Sequence, residues 1–349
     1  MVYARGFGWA DKEANQAVQP ESLFRIASIS KPVTSVAILK LVEEGKLNLD
    51  AKVFCAPGGS CLLEHLQPPP NVTVKDTRLY DVTVRHLLYH VGGWDRNKSG
   101  DPMFRPIPER AARALGVPHP PSCETIIRYM LGQRLDFTPG TNYAYSNFGY
   151  CILGRVIEKV TGQSYEEYVK ANVLKPMGVA RMRIGRTLLE GRAEGEVRYY
   201  DGRWVPCVFP GMTDCPFPYG GFYLEAMDSH GGWIASAIDL LRFVTAIDGR
   251  RPPAFLKPET VNLMISPYWP GPTSYYAMGW GVQVVGEEAN WDHNGSLPGT
   301  STFLFRQYNG LAWALLFNIN PVPPLNRAIQ QITDQVREWP THDLFGQYP

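Results

Sequence analysis

The sequence predicts an α/β fold: an antiparallel sheet flanked by N- and C-terminal helices, with a mostly helical domain inserted. Strand-like segments lie toward both ends of the 349-residue chain, and the clearest helical segments lie between them. A chain of this length exceeds one typical core and suggests two domains. We therefore predict a sandwich domain from residues 1–50 and 228–349, and an inserted, mostly helical domain from residues 51–227.

The N-terminal elements are a predicted strand and the clearest helix of the chain. The segment VYARGFGWADKE alternates large and small residues and then turns, which is typical of a strand followed by a loop. SISKPVTSVAILKLVEEGKL carries a broad apolar stripe and stops at Gly45, since glycine is common just after a helix end. Pro32 lies in the first turn, where its missing N–H is tolerated.

The predicted insert consists mostly of helices joined by long loops. Residues 50–80 are loop-like, whereas TVRHLLYHVGG and CETIIRYMLGQ each predict a helix. Residues 103–121 are rich in proline and are predicted to be irregular. A helix is predicted over residues 147–161, and Ser164 begins the next one through a capping box. Residues 178–230 are predicted to be irregular or β-rich.

The C-terminal part returns to strands. GGWIASAIDLLRFVTAI predicts another helix, and MGWGVQVV, STFLFRQ and LAWALLFNI predict three strands. Residues 307–310 predict the hairpin turn between the last two strands. NRAIQQITDQVREW predicts a closing helix. Strands at both termini are expected to share one antiparallel sheet.

Composition argues against several classes of partner. A net charge of +1 with 19% charged residues gives no indication of nucleic acid, an anionic membrane or a polyanionic substrate. No apolar run approaches the roughly 18 residues that a membrane-spanning helix needs. The N-terminus lacks the apolar core of a signal peptide and begins abruptly, as in a chain with a truncated start. The sequence predicts neither the compartment nor the oligomeric state.

The cysteines and two of the histidines each allow more than one interpretation. Cys55 with Cys61, and Cys207 with Cys215, are spaced for small-loop disulfides in an exported protein, or all four remain free thiols. His86 and His90 are four residues apart, a spacing that can hold zinc on one helix face. Because the glutamate of a zinc-peptidase motif and a third ligand are missing, we predict structural roles for both, no metal and no cofactor.

Ser28 and Lys31 are the first candidate site residues. They lie three residues apart where an apolar helix begins, so their side chains are expected on one face. A partly desolvated lysine can lose its proton and serve as the base for a serine nucleophile. The pattern alone is weak, since roughly one S-x-x-K is expected by chance in such a chain. The alternative is an ordinary serine at a helix start.

Two further segments carry polar groups on loops or strand edges. Tyr145 and Asn147 follow a turn and precede a helix, a position suited to catalytic groups. A tyrosine near a lysine can share its proton, and an asparagine offers both a donor and an acceptor to an amide. His293 and Gly295 precede the C-terminal strand pair, where glycine permits close approach of a substrate. The structural alternatives are a buried tyrosine, a helix cap and a tight turn.

Together the three segments resemble the active-site motifs of the serine β-lactamase and penicillin-binding superfamily: S-x-x-K, Y-x-N and K- or H-x-G. The Y-S-N and H-N-G forms are similar to the class C-like branch. That branch includes class C β-lactamases, D-alanyl-D-alanine carboxypeptidases, D-aminopeptidases, family VIII esterases and the mitochondrial β-lactamase-like protein. FRIASISK, VRHLLYHVGG and YSNFGYCILGRVIEKVTG also fit it. The resemblance extends over about residues 3–320 and implies a β-lactamase/transpeptidase-like fold with the site at the domain junction.

The resemblance implies three catalytic residues. Ser28 matches the acylated nucleophile, Lys31 its base partner and Tyr145 the general acid or base. An acyl-enzyme would form on Ser28, and water or another acceptor would release the acyl group.

Four substrate-binding residues are implied in the same way. Asn147 matches the residue that positions the substrate, and His293 and Gly295 match the cleft wall. The backbone N–H groups of Ser28 and Ser296 match the oxyanion hole. Histidine at position 293 is mostly neutral at pH 7, unlike the lysine that class C β-lactamases usually carry, so β-lactamase activity is expected to be weak or absent.

The function predicted is therefore a serine hydrolase of the esterase or D-amino-acid peptidase type. Its partner is expected to be a small-molecule or peptide substrate carrying an ester or amide. A β-lactamase or an acyltransferase is the alternative within the enzyme class. A non-catalytic binding or assembly protein on the same scaffold is the alternative outside it.

Overall fold

The computed structural model describes residues 1–250, 252–323 and 325–348. Its helices are α1 Ser30–Glu43, α2 Val84–Leu88, α3 Ile107–Leu115, α4 Cys123–Leu131, α5 Asn147–Thr161, α6 Tyr165–Val169, α7 Ala237–Ile247, α8 Pro258–Ile265 and α9 Asn326–Asp334. Its strands are β1 Trp9–Asp11, β2 Gln16–Ala17, β3 Phe24–Arg25, β4 Arg183–Ile184, β5 Trp204–Pro206, β6 Asp214–Pro216, β7 Trp233–Ala235, β8 Ser274–Tyr276, β9 Gly281–Val285, β10 Glu288–Leu297, β11 Thr300–Arg306 and β12 Ala312–Phe317.

The largest sheet is antiparallel and has the order β12-β11-β10-β9-β8. Strand β11 is buried along its whole length, and α7 packs against β12. A smaller sheet, β3-β7-β4, joins a strand near the N-terminus to the middle of the chain, and β1 pairs with β2. The expectation that strands from both termini share one sheet was therefore wrong, because the described N-terminal strands pair within the first half of the chain or with β7. This mixture of helices with antiparallel sheet confirms the predicted fold class.

Helix α1 lies in the centre of the molecule. Its residues from Ser30 to Leu39 are all buried, and it packs against α5, α6 and α8. A helix covered on every side has no polar face, which explains the broad apolar stripe in its sequence. Burial of α1 matters for function because Lys31 lies in its first turn.

Two predicted segments were wrong in detail. GGWIAS, predicted as the start of a helix, contains strand β7, and α7 begins only at Ala237. The strand is short and buried on both faces, so its apolar run carries no period-two signal. Residues 103–121, predicted to be irregular, contain α3. Its prolines lie before the helix and in the first turn, where they do not interrupt hydrogen bonding.

The cysteines divide into bonded and free groups. Cys55 and Cys61 form a small-loop disulfide, and Cys123 and Cys151 form a second one that joins α4 to α5. The second pair was not predicted, since only the folded chain brings its two helices together. Cys207 and Cys215 are free thiols.

The predicted insert is mostly helical but also supplies strand β4. Because β4 pairs with β7, the smaller sheet crosses the predicted boundary at residues 227 and 228. The division into a sandwich domain and an insert stays a prediction. Within the described residues, no helix is long and apolar enough to cross a membrane.

Candidate active site

Ser28 lies at a sharp turn between a strand and a helix. The turn follows β3, and Ile26 N–H donates to the carbonyl of Trp233 at 2.9 Å. Ala27 has a φ of +49°, a left-handed conformation that is unfavourable for a residue with a Cβ. Helix α1 begins two residues after Ser28. Strain of this kind persists only where surrounding contacts enforce it, and it is concentrated at functional sites.

Lys31 lies directly beneath Ser28 and is fully buried. Its Nζ is 3.3 Å from Ser28 Oγ, 2.8 Å from Asn147 Oδ1 and 2.9 Å from the carbonyl oxygen of His230. The last two atoms only accept hydrogen bonds, so they take two N–H groups of the amine. The third position of the nitrogen therefore faces the Ser28 hydroxyl.

Burial lowers the pKa of Lys31 well below its usual value, and the Asp101 carboxylate opposes this effect only in part. The cause is desolvation, which disfavours the charged ammonium. A neutral Lys31 donates to Asn147 and His230 and keeps its lone pair for the Ser28 proton. Geometry and charge state therefore suit Lys31 to act as a base.

Tyr145 is the second side chain that contacts the Ser28 hydroxyl. Its hydroxyl hydrogen bonds with the Ser28 side chain, and burial raises its pKa above the usual value. Its ring lies 4.7 Å from Lys31 Nζ, measured to the ring centroid. The phenol is protonated at neutral pH, so it can pass a proton but does not store negative charge.

Asn147 opens α5 and connects Lys31 to a loop of the insert. Ser146 caps the helix by accepting from Gly149 N–H at 3.1 Å. Asn147 accepts from Lys31, and its Nδ2 donates to Asp101 Oδ2 at 2.7 Å. The two bonds hold the amide in one orientation, which leaves Asn147 on the cleft wall beside Ser28.

His293 lies on β10 and is buried. Its Nδ1 donates to the carbonyl of Asn294 at 2.8 Å, so its Nε2 accepts from the Tyr276 hydroxyl at 3.0 Å. Burial and the nearby Lys31 amine lower the pKa of His293 to about 3. His293 is therefore neutral at pH 7, and it offers no permanent cation to a substrate carboxylate.

The predicted site residues converge on one cleft of about 550 Å³. Lys31 lies beneath its floor, and the other predicted residues line it: Ser28, Tyr145, Asn147, His293, Gly295 and Ser296. Strand β9 pairs with β10 only as far as Asp292. The next residues of β10 pair with β11 alone, so their other edge is open toward the cleft. The volume suits a small molecule or a short peptide segment.

Gly295 allows β10 to pack directly against the Ser28 turn. A Cβ at this position would lie 2.3 Å from the carbonyl oxygen of Ile26 and 2.2 Å from Thr302 Oγ1. Thr302 Oγ1 itself donates to the same carbonyl at 3.0 Å. Glycine is thus required here because two backbone segments touch. The sequence alone did not show this reason.

We expect Gly295→Ala to displace the Ser28 turn and to destabilise the fold by about 1–3 kcal/mol, as overpacking of a tight contact does. Urea unfolding measures the loss, and the rate of Ser28 labelling by a fluorophosphonate reports the displacement. Gly286→Ala is the control for stability and labelling together, because no atom lies within 4 Å of the added Cβ. Since Gly286 has a φ of +62°, a small loss of stability is expected there too. Unchanged labelling and stability in Gly295→Ala would contradict this account.

Three buried histidines predict that the folded chain is less stable at acidic pH. Burial lowers the pKa of His90, His230 and His293, so all three bind fewer protons in the folded chain than in the unfolded chain below pH 6.5. Folding stability is therefore expected to fall as the pH falls from 7 to 6, by at most about 2 kcal/mol for three groups whose unfolded pKa is about 6.5. The raised pKa of buried carboxyl groups, Asp292 among them, opposes this effect.

Urea unfolding at pH 7 and pH 6 measures the expected loss. His230→Gln should reduce the pH dependence, whereas substitution of the exposed His65 should not change it. Equal stability at the two pH values would show that these histidines are protonated in the folded chain.

Sequence reasoning missed Arg96, Asp101 and Asp292 as residues of the cleft or its support. Arg96 lies over the Tyr145 ring, with 4.8 Å between its guanidinium carbon and the ring centroid. Asp101 holds Asn147, and Tyr276 holds His293. Asp292 lines the cleft beside His293. Little in the sequence indicated their roles, because each is a single residue in a loop or beside a recognised motif.

His86 and His90 do not share a helix face. Helix α2 ends at Leu88, and His90 has a φ of +59°. His86 Nδ1 accepts from Thr83 N–H, whereas the His90 ring packs 4.4 Å from the Tyr145 ring, measured between centroids. His90 therefore supports the candidate site. No group of side chains in the described part of the chain is arranged to hold a metal ion.

A sequence profile of the Beta-lactamase family matches residues 1–337, nearly the whole chain. This chain belongs to the Beta-lactamase family. It is 29% identical over 324 residues to a protein named as a putative fimbrial assembly protein, FimD of serogroup D, from Dichelobacter nodosus, with 88% of this chain and 70% of that protein covered. It is 31% identical over 282 residues to esterase EstB of Burkholderia gladioli, with 75% of this chain and 65% of the esterase covered.

A solved structure supports the same conclusion. The octameric penicillin-binding protein homologue of Pyrococcus abyssi superposes with a TM-score of 0.68 at 26% identity, covering 95% of this chain and 70% of that one. The predicted resemblance to the β-lactamase and penicillin-binding superfamily is confirmed. Family membership and the similarity to an esterase support hydrolase activity of the serine type in general.

Proposed function

We propose that this protein is a serine hydrolase that forms an acyl-enzyme on Ser28 from an ester or amide substrate. One observation carries the proposal. The buried amine of Lys31 is 3.3 Å from Ser28 Oγ, while its other contacts are acceptors that hold two of its N–H groups. A neutral amine in this arrangement has its lone pair directed at the hydroxyl that it must deprotonate.

Acylation begins when Lys31 takes the Ser28 proton and Oγ attacks the substrate carbonyl carbon. The N–H groups of Ser28 and Ser296 stabilise the negative charge that develops on the carbonyl oxygen. The Tyr145 hydroxyl donates its proton to the departing alcohol or amine and regains one from the Lys31 ammonium. The carbon–leaving-group bond breaks, and the acyl group remains on Ser28.

Deacylation reverses the proton path. A water molecule attacks the acyl carbon on Ser28 and passes a proton to Lys31 through the Tyr145 hydroxyl. The bond between the acyl carbon and Ser28 Oγ breaks, and Oγ takes the proton back from the Lys31 ammonium as the acid product leaves. If an alcohol or amine enters in place of water, the same steps transfer the acyl group. Because the pKa of Tyr145 is raised and that of Lys31 is lowered, the phenol stays protonated while the neutral amine is the group that accepts the transferred proton.

The cleft favours esters and uncharged amides over β-lactams. A β-lactam presents a carboxylate, and the neutral His293 supplies no cation for it. The similarity to an esterase supports the same choice. β-lactamase activity is accordingly expected to be weak or absent.

Intact-protein mass spectrometry tests the proposal. The protein is incubated with a p-nitrophenyl ester, a D-Ala-D-Ala peptide, a fluorescent penicillin and a fluorophosphonate. A mass increase in the wild-type protein that is absent from Ser28→Ala would support Ser28 as the nucleophile. The absence of any adduct on folded protein would contradict the proposal.

A second candidate is an assembly role without catalysis. It is favoured by the relatives named as fimbrial assembly proteins, at 29% identity. A protein with this role needs no buried lysine beside Ser28. Absence of adducts with every probe would support this candidate in place of the hydrolase.

A further inference from the structure

Asp292 is a carboxylate on the cleft wall, and no counterion among the described residues neutralises it. It lies on β10 immediately before His293 and lines the same cleft as Ser28. Among the described residues, no hydrogen bond or ion pair reaches its carboxylate, and partial burial without such contacts raises its pKa to about 6. At neutral pH the side chain is mostly ionised. A desolvated carboxylate of this kind gains strongly from a cation that enters the cleft.

The carboxylate shares a row of the sheet with an aromatic residue. In the sheet, Gly281 pairs with both Asp292 and Tyr276, so the three residues form one row across neighbouring strands. A Cβ on Gly281 would lie 2.3 Å from Asp292 Oδ1. The carboxylate therefore occupies the space above the glycine, and Tyr276 lines the cleft on the far side of it. A carboxylate and an aromatic ring together form a suitable site for an ammonium group.

The row lies on the side of the cleft that contains Tyr145. The centroids of the Tyr145 and Tyr276 rings are 5.9 Å apart, and the Tyr276 hydroxyl donates to His293. In the proposed reaction Tyr145 protonates the leaving group. The leaving group therefore departs toward Tyr276 and Asp292, while the carbonyl oxygen lies near Ser296.

Distance along β10 sets the length of the substrate. Asp292 precedes Ser296 by four residues, which corresponds to about 13 Å of extended strand. After allowance for the reach of the side chain, a cation at Asp292 stands about 8–10 Å from the carbonyl carbon. That separation corresponds to about six to eight bonds, so the cation belongs to the distal end of the leaving group.

We infer that Asp292 binds an alkylammonium group carried at the far end of the substrate's alcohol or amine portion. The inference rests on the proposed function, and it names the substrate class: esters or amides whose leaving group is cationic at one end. Arg96 is the other charged side chain on the cleft wall, and it lies over Tyr145 without an ion pair to Asp292. If Arg96 selected the leaving group instead, the preference would be for an anion.

Matched esters test the inference. The first ester is the acetate of 6-(trimethylammonio)hexanol. The second carries a neutral tert-butyl group in place of the trimethylammonium group, so the two esters differ only in charge. An acetate with a terminal carboxylate completes the series. We expect kcat/KM to be at least about 10-fold higher for the cationic ester than for the neutral one, and lowest for the anionic ester. In Asp292→Asn the cationic preference should fall to within about 3-fold.

A shorter ester and a matched charge variant of the protein serve as controls for this test. Acetylcholine, whose ammonium is only four bonds from the carbonyl, should show less preference over its tert-butyl analogue than the longer pair does. Glu288→Gln removes a charge from the same strand outside the cleft lining and should keep the wild-type preference. Equal rates for cationic and neutral esters in the wild type, or a preference for the anion, would overturn the inference.

A second measurement separates this inference from the proposed function. Hexyltrimethylammonium ion should slow fluorophosphonate labelling of Ser28 in the wild type and should lose most of this effect in Asp292→Asn. Failure of Ser28 to label at all would overturn the proposed function. Labelling that the ammonium ion does not slow, with esters turned over without regard to charge, would overturn the inference alone.

Discussion

Ser28→Ala is expected to reduce ester turnover by at least about 10³-fold and to abolish covalent labelling, while the free energy of unfolding changes by no more than about 1 kcal/mol. Removal of Oγ takes away the nucleophile. The amine of Lys31 keeps its contacts with Asn147 and His230. The Tyr145 hydroxyl, which loses Ser28 as a partner, lies on the lining of the open cleft. The residue is only half-buried, and the cavity left by one oxygen atom is small.

Turnover of a p-nitrophenyl ester, intact mass after fluorophosphonate treatment, and urea unfolding together measure this result. Ser266→Ala is a suitable control, because its hydroxyl lies outside the cleft lining and donates to the carbonyl of Asn262 at a helix end. Retained turnover in folded Ser28→Ala would exclude Ser28 as the nucleophile. Lost turnover with a large loss of stability would instead indicate a structural defect.

Lys31→Met is expected to reduce acylation of Ser28 by at least about 10³-fold while the chain still folds. Methionine has similar length and no charge, so it fills the buried space without requiring proton acceptors. Asn147 Oδ1 and the His230 carbonyl each lose a donor, which offsets the gain from removing a desolvated amine. We therefore expect a change in stability of a few kcal/mol at most.

The wild-type pH profile supplies an independent measure of Lys31. Burial lowers the pKa of its amine below the usual value near 10.5, so the neutral base is present at a lower pH than in an exposed lysine. Acylation should rise as the pH rises through this lowered pKa and then level off. Below it, Lys31 binds a proton, and the rate falls.

Lys40→Met provides the matched control. Lys40 lies on the same helix, half-exposed and paired with Glu44 at 3.8 Å, outside the cleft lining. Its substitution should leave both the acylation rate and its pH profile unchanged. If Lys31→Met acylates at the wild-type rate, the base lies elsewhere, and Tyr145 becomes the residue to test.

Much of the architecture could be predicted because its signals are local. Short segments were enough to predict α1, from its apolar stripe and first-turn proline, and the bounds of α5. Three C-terminal strands were predicted in the same way. Strand β7 and helix α3 were missed, since a strand buried on both faces lacks periodicity and prolines can begin a helix as well as exclude one. The cysteine pair that joins α4 to α5 needed a contact between helices that only folding creates.

The sequence by itself determined the class of fold, the three motifs and the residues that compose them, because propensity and spacing are properties of neighbouring residues. Only the tertiary structure decided how those residues act. Burial of α1 removes water from Lys31 and thereby lowers its pKa, and contact between β10 and the Ser28 turn requires Gly295. Strand β9 begins only at Gly281, so β10 has an open edge beyond Asp292, and no described side chain pairs with the Asp292 carboxylate. Desolvation and close packing arise between segments far apart in the chain, so no local pattern records them.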